Sequence, residues 1–217
     1  MNIEQARQNM VESQIRTWEV LDQTVLDTVL EVKRELFVPE RYAPLAFVDM
    51  EIPLGHGEVM LAPKLEARLL QELTLKSSDR VLEVGTGSGH MTALLAALAE
   101  HVCSVEIHAD FAESARRKLA VQGSPNVAIE VGDGARGWPQ RGPFDAILLT
   151  GSVPLLPKEL QSQLRPGGRL LAIVGEPPVM TARLITCVSP GVFNEVGLFE
   201  TCIAALRNAP QPARFVF

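Results

Sequence analysis

The sequence predicts an α/β fold: a doubly wound, mostly parallel, Rossmann-like sheet of about seven strands. Three observations lead there. From residue 80 onward, short apolar runs alternate with stretches of helical period. The first run ends in a glycine turn, Gly85-Thr86-Gly87-Ser88-Gly89, with a helical apolar stripe directly behind it. A later run, Phe144-Asp145-Ala146-Ile147-Leu148-Leu149, is almost wholly apolar, as in the middle of a parallel sheet.

Taken in order, residues 4–16 read as a helix with a weak apolar side through Ala6, Met10 and Ile15. Asp22 is the N-cap of a clearer helix carrying Val25, Leu26, Val29 and Leu30. That helix is expected to end near Lys33-Arg34, which makes Arg34 and Glu35 a solvated helix end. Residues 42–63 are broken by Pro44, Pro53, Gly55, Gly57 and Pro63 and read as a long loop of the kind that covers a site. Pro63 then suits the first turn of a helix with Leu65, Leu69, Leu70 and Leu73 on one side. Strands follow at 81–84, 102–107, 126–131, 144–149 and 169–174, with helices at 91–98, 111–119 and 155–164 between them. Two further extended runs, 183–188 and 199–206, flank Ser189-Pro190-Gly191 and predict an antiparallel C-terminal hairpin at one edge.

Bulk properties narrow the function. Hydrophobic residues make up 47% and charged residues 21%, an ordinary globular composition. A net charge of −6 disfavours nucleic acid as a partner, because phosphate would be repelled. No apolar run is long enough to span a membrane, and the first residues lack a signal-peptide pattern, so a cytoplasmic protein is expected. Cys103, Cys187 and Cys202 are odd in number and far apart; they read as buried thiols with no metal-site spacing, and no metal is expected.

The glycine turn points to a nucleotide-like ligand. A dinucleotide site wants G-x-G-x-x-G, and here the third glycine comes one place early, with His90 where that pattern has glycine. Three alternate glycines behind an acidic residue, Glu83, instead suit S-adenosylmethionine, which has no pyrophosphate and whose methionine end is cationic. A phosphate-binding loop is excluded, since no G-K-[ST] follows. Glu106, with Ile107 beside it, ends the second strand about twenty residues on, where a carboxylate accepts from ribose hydroxyls. Gly132-Asp133-Gly134 ends the third strand; its carboxylate can accept from an adenine amine and its glycines leave amides bare.

With these residues in place, the chain resembles the class I S-adenosylmethionine-dependent methyltransferases, and among them the protein-L-isoaspartate O-methyltransferase family. Glu83-Val84-Gly85-Thr86-Gly87-Ser88-Gly89 is similar to that family's E-[IV]-G-T-G-S-G. Gly132-Asp133-Gly134 with Gly137-Trp138-Pro139 resembles its G-D-G-x-x-G-W-P, and Pro143-Phe144-Asp145-Ala146-Ile147 its P-F-D-x-I. Arg34-Glu35-Leu36-Phe37-Val38-Pro39 and Ile52-Pro53-Leu54-Gly55-His56-Gly57 also resemble family signatures. The resemblance implies methyl transfer to a carboxylate of an isoaspartyl protein or peptide, leaving S-adenosylhomocysteine. It implies that Glu83, Gly85, Gly87 and Gly89 hold the methionine end, Glu106 the ribose, and Asp133 and Gly134 the adenine, with Thr86, Ser88 and Ile107 also among the cofactor-binding residues. One domain, 1–217, is expected: an N-terminal helical and acceptor-covering segment 1–76 and a cofactor-binding core 77–217.

The acceptor region departs from the family. Where relatives usually read G-Q-T-I-S-Q-P, this chain has Gly57-Glu58-Val59-Met60-Leu61-Ala62-Pro63, so the hydroxyls facing the acceptor are lost at Val59 and Leu61. His56, Val59, Met60 and Leu61 are the acceptor-site candidates, and the catalytic residue is left unassigned. A carboxylate beside Leu61 would lose a hydrogen bond unless another donor serves, such as His56, Ser88 or a backbone amide. The alternatives are a different, more apolar acceptor such as a small molecule, or a cofactor-binding protein without repair activity.

Overall fold

The computed structural model describes residues 2–212. Its centre is a sheet of seven strands: β3 (Arg80–Val84), β4 (His101–Glu106), β5 (Val127–Val131), β6 (Phe144–Leu149), β7 (Leu164–Glu176), β8 (Val179–Ser189) and β9 (Val192–Thr201). They lie in the order β5-β4-β3-β6-β7-β8-β9. The first four pairings are parallel, and β8 and β9 run antiparallel at one edge, as the sequence predicts. The chain order reverses on either side of β3, so a crevice opens beyond its carboxyl end. Helices α4 (His90–Leu98) and α5 (Ala109–Gln122) follow β3 and β4.

The N-terminal third is helical and shares the core. It comprises α1 (Ile3–Met10), a wider turn through Val11–Ile15, α2 (Gln23–Glu31) and α3 (Pro63–Leu73). Asp22 caps α2 by accepting from the amides of Thr24 and Val25. Met10, Ile15, Leu26 and Val29 join Leu69, Leu70, Leu94 and Leu171 in one buried cluster, so a single apolar interior ties this third to the sheet.

Four expectations need correction. Helix α2 stops at Glu31, and Arg34 is not solvated: it is 1% exposed and bonded on several sides. The loop 42–63 contains a short hairpin, β1 (Ile52–Gly55) with β2 (Glu58–Met60). The helix at 155–164 shrinks to α6 (Lys158–Gln161), since Pro157 stands immediately before it and cannot continue a helix from 155. The last strand is Val192–Thr201 rather than 199–206. The tight Pro190-Gly191 connection starts it at once, and exposed Asn194 and Glu195 hide its period. Residues 202–206 leave the sheet and return over the end of β6 through a bridge between Ala205 and Ser152. No helix among the described residues is long and apolar enough to cross a membrane.

Candidate active site

A cleft of about 900 Å³, counting its mouth, opens beyond the carboxyl ends of β3, β4 and β5. Its floor is the turn after β3, and Gly85, Thr86, Gly87 and Ser88 all line it. Gly85 has φ +98°, and a Cβ there would stand 2.3 Å from Thr150 Oγ1, so no other residue fits. Thr150 donates to the Gly85 carbonyl at 2.6 Å and pins the turn to β6. Gly89 does not line the cleft. At φ +87° it packs on Ala115, whose Cβ would be 3.0 Å from an added one, and lets α4 begin close against α5.

Glu106 enters the wall from the end of β4. Its carboxylate accepts from the Gly87 amide at 2.7 Å and the His108 amide at 2.9 Å. Two backbone donors fix its orientation, and its remaining lone pairs can take a pair of ribose hydroxyls. Ile107 lies beside it, partly exposed on the cleft wall. Across the cleft, Asp133 accepts from the Ala135 amide and from Asn208 Nδ2, both at 2.9 Å, and shares the wall with Gly134. This donor and acceptor set fits a nucleoside: a diol acceptor, a ring-amine acceptor and apolar flanks from Val84, Val105 and Ile107.

Glu83 takes a different place from the rim position that the sequence suggests. It is fully buried behind the wall, accepting from Thr92 and from Ser104 Oγ at 2.6 Å, and its second oxygen has no partner. Burial pushes its pKa up to about 8; the two hydroxyls oppose that rise, and the nearby Glu106 and Glu66 carboxylates add to it. Glu83 therefore braces the β3–β4 junction from inside.

The opposite wall comes from the N-terminal third, where Glu58, Val59, Met60, Leu61 and Glu66 line the cleft. Three of the four acceptor candidates are thus together. The fourth, His56, sits at the hairpin tip outside the wall, with φ +53° and Nε2 3.0 Å from Asp110 Oδ2. Behind the wall, Arg34 pairs with Glu66 and donates to the Leu61 carbonyl at 2.8 Å and the Ala46 carbonyl at 3.0 Å. His90 Nδ1 lies 2.8 Å from the same Glu66 carboxylate. Burial opposes ionisation of Glu66, but the attraction of His90 and Arg34 outweighs it and holds the group below the usual carboxylate range. The buried triad fixes the backbone at Leu61.

Sequence reasoning missed Arg34, Glu66 and Arg207. Glu66 had a signal: it falls on the apolar side of α3, in step with Leu69, Leu70 and Leu73. Arg207 had none, because it reaches the mouth only through the returning tail. It donates to Glu58 Oε1 and to the His56 carbonyl, each at 2.6 Å, and lines the cleft.

Comparisons with known proteins point to one family. The family model for protein-L-isoaspartate(D-aspartate) O-methyltransferase matches residues 5–186. A protein-L-isoaspartate O-methyltransferase of Methanoculleus marisnigri is 44% identical over 78% of this chain and 77% of its own. One from Syntrophus aciditrophicus is 42% identical over 88% of this chain and 87% of its own. A solved protein-L-isoaspartate O-methyltransferase superposes with TM-score 0.79 at 26% identity, over 92% of this chain and 65% of that one. A Plasmodium falciparum structure, described as a putative member in complex with S-adenosyl-L-homocysteine, gives 0.80 at 23% identity, over 93% of this chain and 98% of its own. That second likeness speaks for the fold. With the model spanning most of the sequence and relatives above 40% identity, the chain belongs to the protein-L-isoaspartate O-methyltransferase family and is an S-adenosylmethionine-dependent methyltransferase.

Proposed function

We propose that this chain methylates the carboxylate of isoaspartyl residues in proteins or peptides, using donors other than the family's hydroxyls. The observation that carries the proposal is Arg207, a guanidinium in the cleft wall beside the segment 58–61. A carboxylate acceptor needs a positive partner more than a base. It is already ionised at neutral pH, and attack on a sulfonium methyl is an in-line displacement. The bound S-adenosylmethionine supplies the electrophilic methyl and leaves as the thioether S-adenosylhomocysteine. The chain's work is placement: Gly85, Thr86, Gly87 and Ser88 would hold the methionine end, Glu106 and Ile107 the ribose, and Asp133 with Gly134 the adenine. Glu83 braces the strand from behind the wall and, protonated below about pH 8, offers the cationic end no charge; Gly89 acts through packing. Val59, Met60 and Leu61 exclude water around the reacting oxygen, held by Arg34 through the Leu61 carbonyl. A cytoplasmic setting suits the free Cys103, Cys187 and Cys202.

Labelled-methyl transfer to an isoaspartyl peptide, against its ordinary aspartyl twin, tests the reading. Transfer to the first well above the second is expected. Background transfer to both, with S-adenosylmethionine binding intact by calorimetry, would overturn isoaspartyl specificity. That outcome would favour the second reading, a more apolar acceptor, which the loss of hydroxyls at Val59 and Leu61 supports. Restoring the hydroxyl with Leu61→Ser would then show whether that position alone is responsible.

A further inference from the structure

The tip of the β1–β2 hairpin meets the start of α5 in a cluster at the edge of the cleft, whose side chains the proposed methyl transfer does not use. His56, His108 and Asp110 each offer one ligand atom, and these atoms lie within 4.8 Å of one another. His56 Nε2 is 3.0 Å from Asp110 Oδ2, and the two imidazoles stack nearly parallel, with centroids 4.3 Å apart. Phe111 closes one side, its ring edge-on to both histidines. His108 Nε2 is buried with no hydrogen-bond partner.

The geometry points to a binding site for a divalent transition-metal ion of the zinc, cobalt or nickel class, held by His56, His108 and Asp110. Two nitrogens and one oxygen at about 2.0–2.2 Å from a tetrahedral ion stand roughly 3.3–3.6 Å apart. The His56–Asp110 separation of 3.0 Å lies just below that range and no pair exceeds 4.8 Å, so an ion is accommodated once the exposed His56 ring turns out of its stack on the partly buried His108. Two imidazoles select borderline ions over magnesium or calcium, which take oxygen ligands. The hairpin tip is also set in position: His56 holds φ +53° between two glycines of positive φ, and its carbonyl accepts from Arg207 at 2.6 Å.

The ligands come from the two sides of the cleft. His56 belongs to the hairpin that carries Val59 and Met60, whereas His108 and Asp110 follow Glu106. An ion there latches the acceptor-side hairpin to the cofactor side. Spacing along the chain gives no sign of this, because only the fold brings residue 56 to residues 108 and 110.

The test titrates the full chain in a Cys202→Ser background, since Cys202, past the end of the edge strand, is an exposed thiol rather than the buried one its sequence suggests and would compete for zinc. Zinc affinity is read against a chromogenic chelator, and cobalt coordination by its visible absorption. One equivalent per chain is expected, weakened more than about tenfold in His56→Asn and in Asp110→Ala separately. Asparagine tolerates the positive φ at position 56, and thermal melts establish that both variants fold. Zinc is also expected to slow amide exchange across residues 52–60 in the unmutated chain but not in either variant. No stoichiometric binding, or binding and exchange unchanged by both substitutions, would overturn the site. The readout contains no methyl acceptor, so its failure leaves the proposed activity untouched.

Discussion

Replacing Glu83 with glutamine should flatten the dependence of stability on pH. In the folded chain Glu83 holds its proton up to about pH 8, whereas an unfolded glutamate releases it near 4.5. Between those values the native state binds more protons than the unfolded one. Stability is therefore fully present below the unfolded value and falls as pH rises towards 8. At about 1.4 kcal/mol per unit, raising the pH from 5 to 8 removes up to about 4 kcal/mol. This is an upper bound, because water reaching the unpartnered oxygen would relieve the charge. In Glu83→Gln, the amide oxygen can accept from both Thr92 and Ser104, as the carboxylate does now. The amide nitrogen is then buried without a partner, but so is the protonated second oxygen it replaces, so the cost at low pH is small. The substitution thus leaves stability at pH 5 nearly unchanged and removes the slope above it. Urea unfolding at pH 5, 6.5 and 8 measures both parts. Curves for the two proteins that stay parallel across that range would refute the reasoning, since every other titrating group is common to both.

Other substitutions separate the two sides of the cleft. Glu106→Ala is expected to weaken S-adenosylmethionine binding about tenfold to a hundredfold, the worth of a charge-assisted hydrogen bond, as read by calorimetry. Arg207→Ala should raise KM for a carboxylate acceptor by a similar factor while leaving cofactor affinity within about threefold; Arg207→Lys should recover part of the loss through charge alone. Arg34→Met removes the guanidinium from buried Glu66 and leaves it only His90; it should cost about 3 kcal/mol in urea unfolding, the low end for a broken buried pair.

Where the chain's chemistry is local, its sequence is readable. The strand, glycine turn and helix at 81–98 are contiguous, and their register follows from apolar spacing, so the fold and the cofactor side emerge directly. Glu106 and Asp133 are found because each ends a strand, and strand ends converge in a parallel sheet. Contacts between distant segments are a different matter. Nothing near Arg34 announces that α3 brings Glu66 against it, and a cation after a helix ordinarily reads as solvated. Glu83 misleads for a related reason. Its place beside the glycines suggests the rim, but strand alternation turns its side chain into the interior beside Ser104. The edge strand β9 is half-exposed, so its pattern is too polar to mark its true start.

The acceptor side follows from the same contrast. Losing hydroxyls at Val59 and Leu61 removes short, neutral donors from the wall; Arg207 returns a charged donor from the tail. The two are not equivalent. A buried hydroxyl discriminates by geometry, because any acceptor that fails to reach it leaves a polar group unsatisfied. A guanidinium whose side chain is 52% exposed and already engaged with Glu58 acts over a longer range and is screened by salt. Acceptor affinity in this chain should therefore fall with ionic strength more steeply than in a relative that retains both hydroxyls. Binding of S-adenosylmethionine, governed by the oriented Glu106 and backbone amides, should change little. A KM for isoaspartyl peptide that is flat from about 50 to 500 mM salt, over which the Debye length shrinks about threefold, would remove Arg207 as the carboxylate's partner and return the question to the apolar wall.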